Sequence, residues 1–158
     1  KSLSEVLRLV DMAILNDDEV RMLAKDSNLV RAGQSIISGE ALFGGKEGGF
    51  GPEYLIIKRG EHGVLALTPE GPLAFPAVPT TEVVDPTGCG DTFAGTMLAC
   101  LSKLDNPKPT LEELREALLH ATVTASFTLG AFGTECLSTL DNDEYQGRVN
   151  DYRRMLGL

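Results

Sequence analysis

The sequence predicts a layered α/β fold, because short apolar runs typical of buried strands alternate with longer segments of helical periodicity. Residues 12–15 form the first such run, and residues 54–58 and 64–67 form two more. The main helical segments span about residues 88–103 and 111–129. In a fold of this class we expect ligands beyond the carboxyl ends of the strands.

The length and composition are those of one globular domain. The chain has 158 residues, of which 42% are hydrophobic, and its mean hydropathy of -0.01 allows a sizeable core. The net charge of -9 argues against nucleic acid or an anionic membrane as a partner. The three cysteines are odd in number and widely spaced, which favours a reducing, cytoplasmic location without disulfides.

Capping boxes predict where three helices begin. In this motif a polar side chain and a glutamate three residues later each bond the other's backbone N–H. The pairs are Ser2 with Glu5, Asn16 with Glu19, and Thr110 with Glu113. The second pair directly follows the first strand, so it also predicts a strand-to-helix turn.

The rest of the chain supplies a hairpin and further helices. Residues 54–58 and 64–67 are predicted to pair as a hairpin across the turn at Gly60–Gly63, with residues 73–75 as a short edge strand. The remaining predictions are one or two helices over residues 29–42, a glycine-rich surface connection over residues 44–51, and a polar surface helix over residues 141–156.

The most informative stretch is the loop that leads into the helix at about residue 88. The first amides of a helix have no internal partners, and the helix dipole adds partial positive charge there. Gly88 and Gly90 let the backbone approach a ligand without a Cβ in the way. The loop is therefore predicted to form an anion hole of backbone N–H groups.

Asp91 lies at the mouth of this anion hole, where it would repel the anion. Its placement suits a general base that acts on a hydroxyl brought up to the anion, which suggests phosphoryl transfer onto an alcohol. Two structural explanations stay open. Residues 85–88 also fit a type I turn, and Asp91 also suits the first turn of a helix.

Four segments of the chain, in this order, resemble the ribokinase-like (PfkB) carbohydrate kinases. They are Asn16-Asp-Asp-Glu19, Lys58-Arg-Gly60-Glu-His-Gly63, Asp85-Pro-Thr-Gly-Cys-Gly-Asp91-Thr-Phe-Ala-Gly95, and Ala125-Ser-Phe-Thr-Leu-Gly-Ala-Phe-Gly133. The resemblance implies a layered α/β/α ribokinase-like fold. It also implies that residues 1–158 are one C-terminal portion of the kinase domain, without the N-terminal substrate and lid part. A homo-oligomeric state is compatible with this resemblance.

The resemblance also implies ATP- and Mg²⁺-dependent phosphorylation of a sugar or nucleoside hydroxyl. Asp91 would be the base, and the amides of Gly88, Cys89 and Gly90 would hold the transferring phosphoryl group. Glu19 would hold Mg²⁺ through water, and Asp85 would contact a monovalent cation such as K⁺. The nucleotide would be bound by Asn16, Lys58, Gly60, Gly63, Thr87, Gly88, Gly90, Ala131 and Gly133.

Cys89 stands where the family usually has Ala or Ser. A thiol at a helix N-terminus is expected to have a lowered pKa, so the sequence predicts a reactive Cys89. The helix that follows is apolar on several sides and is predicted to be deeply packed. Gly130 and Gly133 are predicted to end the next helix with a left-handed cap.

Two other functions stay open. The chain could bind a nucleotide or another anion without catalysis, because the substrate-binding part of the family is not among these motifs. A dinucleotide-dependent oxidoreductase is a weaker candidate. Gly88 and Gly90 fit the start of the dinucleotide-binding motif Gly-x-Gly-x-x-Gly, but Phe93 stands where its third glycine belongs. The motifs do not distinguish among ribose, fructose phosphate, ketodeoxygluconate and adenosine as the acceptor.

Overall fold

The structure is a computed structural model that describes residues 2–44 and 49–158. The chain forms two compact units, Lys1–Pro76 and Ala77–Leu158. Residues 45–48, within the stretch predicted as a surface connection, lie outside the described residues. No helix of the described ranges combines the length and the apolar character needed to cross a bilayer.

The first unit is a mixed sheet with helices. Its elements are α1 (Leu3–Leu7), β1 (Met12–Asn16), α2 (Asp17–Ala24), α3 (Leu29–Ile37), α4 (Glu40–Phe43), β2 (Tyr54–Lys58), β3 (Val64–Thr68) and β4 (Gly71–Phe75). The strand order is β1-β2-β3-β4, with β1 parallel to β2 and the other neighbours antiparallel. The predicted hairpin of β2 and β3 is confirmed, and β4 begins two residues before the predicted edge strand.

One face of this sheet is covered by α2 and α3. Leu55 and Ile57, alternate residues of β2, share a buried cluster with Val20 of α2 and Ile36 of α3. All four side chains have 0% of their surface exposed, and each such burial stabilises the fold by about 1.5–3 kcal/mol. A Cβ on Gly33 would lie 2.5 Å from the Leu67 side chain, so α3 approaches the sheet closely at that glycine.

The second unit is helical in the described residues. Its elements are α5 (Cys89–Leu101), α6 (Leu111–Thr128), α7 (Glu135–Thr139) and α8 (Asn142–Leu156). α6 is buried over most of its length and packs along α5, where Phe93 and Met97 are buried. The prediction that α5 is deeply packed is wrong for this chain, because only Phe93 and Met97 among the described residues of α5 are buried, and Leu98 is 59% exposed.

α8 is the polar surface helix that the sequence predicts, since most of its residues are exposed. Val149 and Tyr152 are buried on it. Its Tyr145 hydroxyl lies 2.7 Å from Nδ1 of His120 on α6, and its Arg153 forms an ion pair with Glu116 on α6. A polar helix is therefore attached to α6 by a few specific contacts.

The helix N-termini agree with the predictions, whereas the C-terminus of α6 does not. All three capping boxes are present, at the N-termini of α1, α2 and α6. The predicted glycine cap of α6 is wrong, because the helix ends at Thr128 and its C-cap residue is Leu129, with a right-handed φ of -63°. The left-handed conformation occurs later, at Gly133, with φ +61°.

His120 gives a prediction about pH. Burial lowers its pKa, a nearby Glu116 opposes this effect, and Arg153 and Lys103 add to it. The unfolded chain therefore binds the proton more readily, so stability is lost as the pH falls through the ordinary histidine pKa of about 6.5. Between pH 7.5 and 5.5 we expect the urea midpoint to fall more for the wild type than for His120→Gln.

The matched control is His62→Gln, since the chain has two histidines and His62 is exposed. This variant should keep the pH dependence of the wild type. An equal fall of the urea midpoint in His120→Gln and the wild type would contradict the prediction.

Candidate functional site

The loop before α5 is held by backbone hydrogen bonds within the second unit. The N–H groups of Val84 and Asp85 donate to the Leu129 carbonyl, at 2.8 and 3.4 Å. Gly88 is the N-cap of α5 and has φ +89°, a left-handed conformation that favours glycine. This conformation turns the chain from the loop directly into the helix, without a side-chain cap.

Three backbone donors at this turn are available to a ligand. Within the described residues, the N–H groups of Gly88, Gly90 and Asp91 make no hydrogen bond, whereas Thr92 begins the helical ladder by donating to the Gly88 carbonyl at 2.8 Å. Cys89 departs from its predicted role, because its N–H donates to the Pro86 carbonyl at 3.2 Å. The free donors and the helix dipole make this end of α5 attractive to an anion.

Asp91 is the third residue of α5, and its side chain is exposed. Among the residues that the structure describes, it forms neither an ion pair nor a side-chain hydrogen bond. The carboxylate is thus not committed to a partner within the fold. Asp91 itself carries one of the free N–H groups and directly follows Gly90, which carries another.

Asp85 folds back on the loop. Its Oδ1 accepts a hydrogen bond from the Thr87 N–H at 3.0 Å, and this bond holds the pKa of Asp85 below its usual value. The arrangement is an Asx-turn, which fixes the loop two residues before the N-cap. A side-chain hydrogen bond with Thr87 also lowers the pKa of Asp85.

The prediction of a lowered pKa for Cys89 is wrong. Partial burial raises the pKa of this thiol, and the neighbouring Asp85 carboxylate raises it further. A backbone hydrogen bond at Cys89 lowers the pKa, but it does not outweigh these two effects. Burial also raises the pKa of Cys100, so the pKa does not single out Cys89 as the reactive cysteine.

Thr128 contacts the start of α5. It lies within the family-like segment Ala125–Gly133, but the sequence predicts no role for it. Its hydroxyl donates to Oγ1 of Thr92 at 3.0 Å, and its side chain is 2% exposed. A threonine inside an apolar helix pattern is ordinary in sequence. Only the packing of α6 on α5 identifies this contact.

In the first unit, Asn16 and Lys58 lie opposite each other at the carboxyl ends of the parallel strands β1 and β2. Asn16 also caps α2. Its side-chain oxygen accepts the Glu19 N–H at 2.7 Å, and the Glu19 carboxylate accepts the Asn16 N–H at 2.7 Å. The capping role is therefore observed, and the other oxygen of Glu19 can still contact a hydrated ion.

The turn between β2 and β3 is a short 3-10 helix, Gly60–His62. Gly63 ends it with φ +83°, and its carbonyl accepts the Arg59 N–H at 2.7 Å. Gly60 is exposed, and a Cβ added to it would meet no atom within 4 Å beyond its chain neighbours. The turn thus presents bare backbone next to Lys58.

Ala131 and Gly133 lie in the segment between α6 and α7 of the second unit. Gly133 is exposed and Ala131 is half-buried. The structure shows no hydrogen bond of either residue within the described part of the chain. Their predicted part in nucleotide binding remains a prediction.

A cavity of about 690 Å³ lies in the second unit, and it is separate from the predicted site residues. Its wall includes Ser126 and Phe127 of α6 and Arg148 of α8. The Arg148 guanidinium lies 3.5 Å from the centroid of the Phe127 ring and donates to the Ser126 hydroxyl. None of the residues predicted to bind nucleotide, phosphoryl group or metal lines this cavity, so its size does not locate the site.

The described residues contain no group of three or more His, Cys, Asp or Glu side chains that could hold a metal ion. Mg²⁺ commonly keeps several waters and takes few protein ligands. A lone carboxylate such as Glu19 fits that mode of binding and does not fit an all-protein metal site.

Sequence relatives of this chain include two bifunctional HldE proteins. The protein from Stutzerimonas stutzeri is 40% identical over 85 residues, covering 53% of this chain and 16% of the relative. The protein from Pseudomonas fluorescens (strain Pf0-1) is 34% identical over 105 residues, covering 66% of this chain and 21% of the relative. The chain thus spans about a fifth or less of these relatives.

Solved structures with a similar fold include kinases. Aminoimidazole riboside kinase from Salmonella enterica, complexed with aminoimidazole riboside and an ATP analogue, has a TM-score of 0.71 and 27% identity. The alignment covers 92% of this chain and 44% of that kinase. A ribokinase II from E. coli in complex with ATP and Mg²⁺ has a TM-score of 0.70 and 25% identity, over 94% and 42% of the two chains.

The fold of these neighbours agrees with the layered α/β fold predicted from the sequence, of which this chain has a part. A family model described as "pfkB family carbohydrate kinase" matches residues 1–140. The chain therefore belongs to the pfkB family of carbohydrate kinases.

Proposed function

We propose that the full-length protein transfers the γ-phosphoryl group of ATP to a hydroxyl of a sugar or nucleoside. The observation that carries this proposal is the start of α5, where three backbone donors and an exposed carboxylate lie within four consecutive residues. Phosphoryl transfer to an alcohol needs both an anion site and a base, because charge on the moving group must be stabilised while the alcohol loses a proton.

The residues of the second unit have distinct roles in this proposal. The N–H groups of Gly88, Gly90 and Asp91 bind oxygens of the transferring phosphoryl group. The acceptor oxygen forms a bond to the γ-phosphorus as the bond from that phosphorus to the ADP oxygen breaks. The Asp91 carboxylate takes the hydroxyl proton, so charge and protons balance and ADP leaves. The Cys89 N–H, which already donates to Pro86, supports the turn.

The residues of the first unit are proposed to contact the nucleotide and its metal ion. Lys58 offers an ammonium group at the strand end, and Asn16, Gly60 and Gly63 offer polar groups of the two turns at the ends of β1 and β2. Glu19 would hold Mg²⁺ through water, as its position in the capping box allows. Mg²⁺, when bound, neutralises charge on the phosphates.

A second candidate function is anion binding without catalysis, because the free N–H groups of Gly88, Gly90 and Asp91 can bind an anion without a base. A coupled kinase screen of sugars and nucleosides with the full-length protein distinguishes the two functions and identifies the acceptor. Turnover with one class of acceptor would favour the kinase, and nucleotide binding without turnover on any acceptor would favour the second function.

The assignment of Asp91 gives a direct prediction. Asp91→Asn keeps the size of the side chain and removes the proton acceptor, so we expect turnover to fall about 10²–10⁴-fold. The affinity for Mg·ATP, measured by calorimetry, should change little, because the backbone donors remain. The control is Asp105→Asn, which alters an exposed aspartate just beyond α5 and should leave turnover unchanged. Near-normal turnover in Asp91→Asn would falsify the base assignment.

Asp85 gives a second prediction, about monovalent cations. We propose that a K⁺ ion near Asp85 and Thr87 adjusts the charge and shape of residues 86–91, which we call the anion loop. Asp85 accepts a hydrogen bond from Thr87 of that loop. We expect higher turnover or tighter Mg·ADP binding in K⁺ than in Na⁺ at equal ionic strength. Asp85→Asn keeps the acceptor of the Asx-turn and should reduce the difference. Identical turnover and identical Mg·ADP affinity in the two salts would contradict a role for K⁺.

A further inference from the structure

The last turn of α6 contacts the anion loop on both sides. The Leu129 carbonyl accepts the N–H groups of Val84 and Asp85, which lie before the loop. The adjacent residue, Thr128, donates its hydroxyl to Thr92, which lies after the loop, at 3.0 Å. Thr128, the last residue of α6, and its C-cap Leu129 therefore hold the chain just after and just before residues 86–91.

Thr128 is well placed to fix the geometry of the first turn of α5. It is 2% exposed, so water has little access to its hydroxyl, and its partner Thr92 is half-buried. Its methyl group lies 3.7 Å from the position that a Cβ on Gly88 would take. The side chain thus contacts Thr92 through its hydroxyl, and its methyl lies beside the N-cap whose amide is free.

We propose that Thr128 is a positioning residue of the phosphoryl-transfer site, an inference that rests on the proposed function. It acts through Thr92 and touches neither substrate nor phosphoryl group. The Thr128–Thr92 bond fixes the first turn of α5, and with it the direction of the Gly90 and Asp91 amides and of the Asp91 side chain. The backbone bonds to Leu129 fix the other side of the loop.

The inference is tested with Thr128→Val in the full-length protein. Valine keeps the branched shape and replaces the hydroxyl with a methyl group, so the tie to Thr92 is lost with little change in volume. A neutral hydrogen bond changes an equilibrium by about threefold to tenfold. We expect kcat to fall by about that factor with a smaller change in KM for ATP, and Thr128→Ser to restore kcat.

A structural readout separates this role from general stability. The Thr92 N–H donates to the Gly88 carbonyl and the Val84 N–H donates to the Leu129 carbonyl, so both amides report on the loop through hydrogen exchange. In Thr128→Val the Thr92 amide should exchange about threefold to tenfold faster, and the Val84 amide should be unchanged.

The matched control is Thr122→Val on the same helix. Thr122 is 8% exposed, and its hydroxyl donates to the Leu118 carbonyl at 2.8 Å within α6. If Thr128→Val behaves like Thr122→Val in kcat and in exchange of the Thr92 amide, the inference is overturned. Asp91→Asn is measured in the same assay. Normal turnover in that variant would refute the proposed function, whereas loss of turnover there with a normal Thr128→Val would refute the positioning role alone.

Discussion

The candidate site depends on backbone N–H groups that the fold leaves without partners at the start of α5. A helix cannot satisfy its first donors internally, and the N-cap Gly88 has no side chain to do so. The chain carries a net charge of -9, which repels anions in general. Local backbone donors and the helix dipole are therefore the means by which the second unit can attract a phosphate.

The fold supports these donors from two directions. Gly88 adopts φ +89°, which turns the loop into α5, and the last turn of α6 holds the residues on either side. α6 itself is buried over most of its length. An exposed Asp91 on the same turn carries the carboxylate that we propose as the proton acceptor. The family membership and the chemistry of these residues thus point to the same class of reaction.

Local sequence patterns were sufficient to predict many of the helices and strands of this structure. Each capping box depends on two residues three apart, and the β2–β3 hairpin depends on two apolar runs around a glycine turn. The family and the layered fold also followed from short motifs in order. The turn at Gly88 and the exposed Asp91 are consistent with the site that those motifs imply. The roles of the individual site residues remain proposals.

The features that the sequence did not reveal depend on tertiary packing. Helix position alone predicted a lowered pKa for Cys89, but its burial and the nearby Asp85 have the opposite effect. The apolar residues on several sides of α5 predicted a deeply packed helix, but Leu98 is 59% exposed. The polar sequence of α8 did not predict its contacts with α6, which are made by Tyr145 and Arg153. Thr128 could be identified only when the neighbour of its hydroxyl was known.

The central claim is that the free amides of the α5 turn bind the phosphate groups of the nucleotide. Titration of ¹⁵N-labelled full-length protein with Mg·ADP tests it most directly. We expect the amide signals of Gly88, Gly90 and Asp91 to shift with nucleotide concentration. The signal of the Cys89 amide should shift less, because this N–H already donates to the Pro86 carbonyl. Saturating nucleotide binding that leaves those three signals in place would contradict the account.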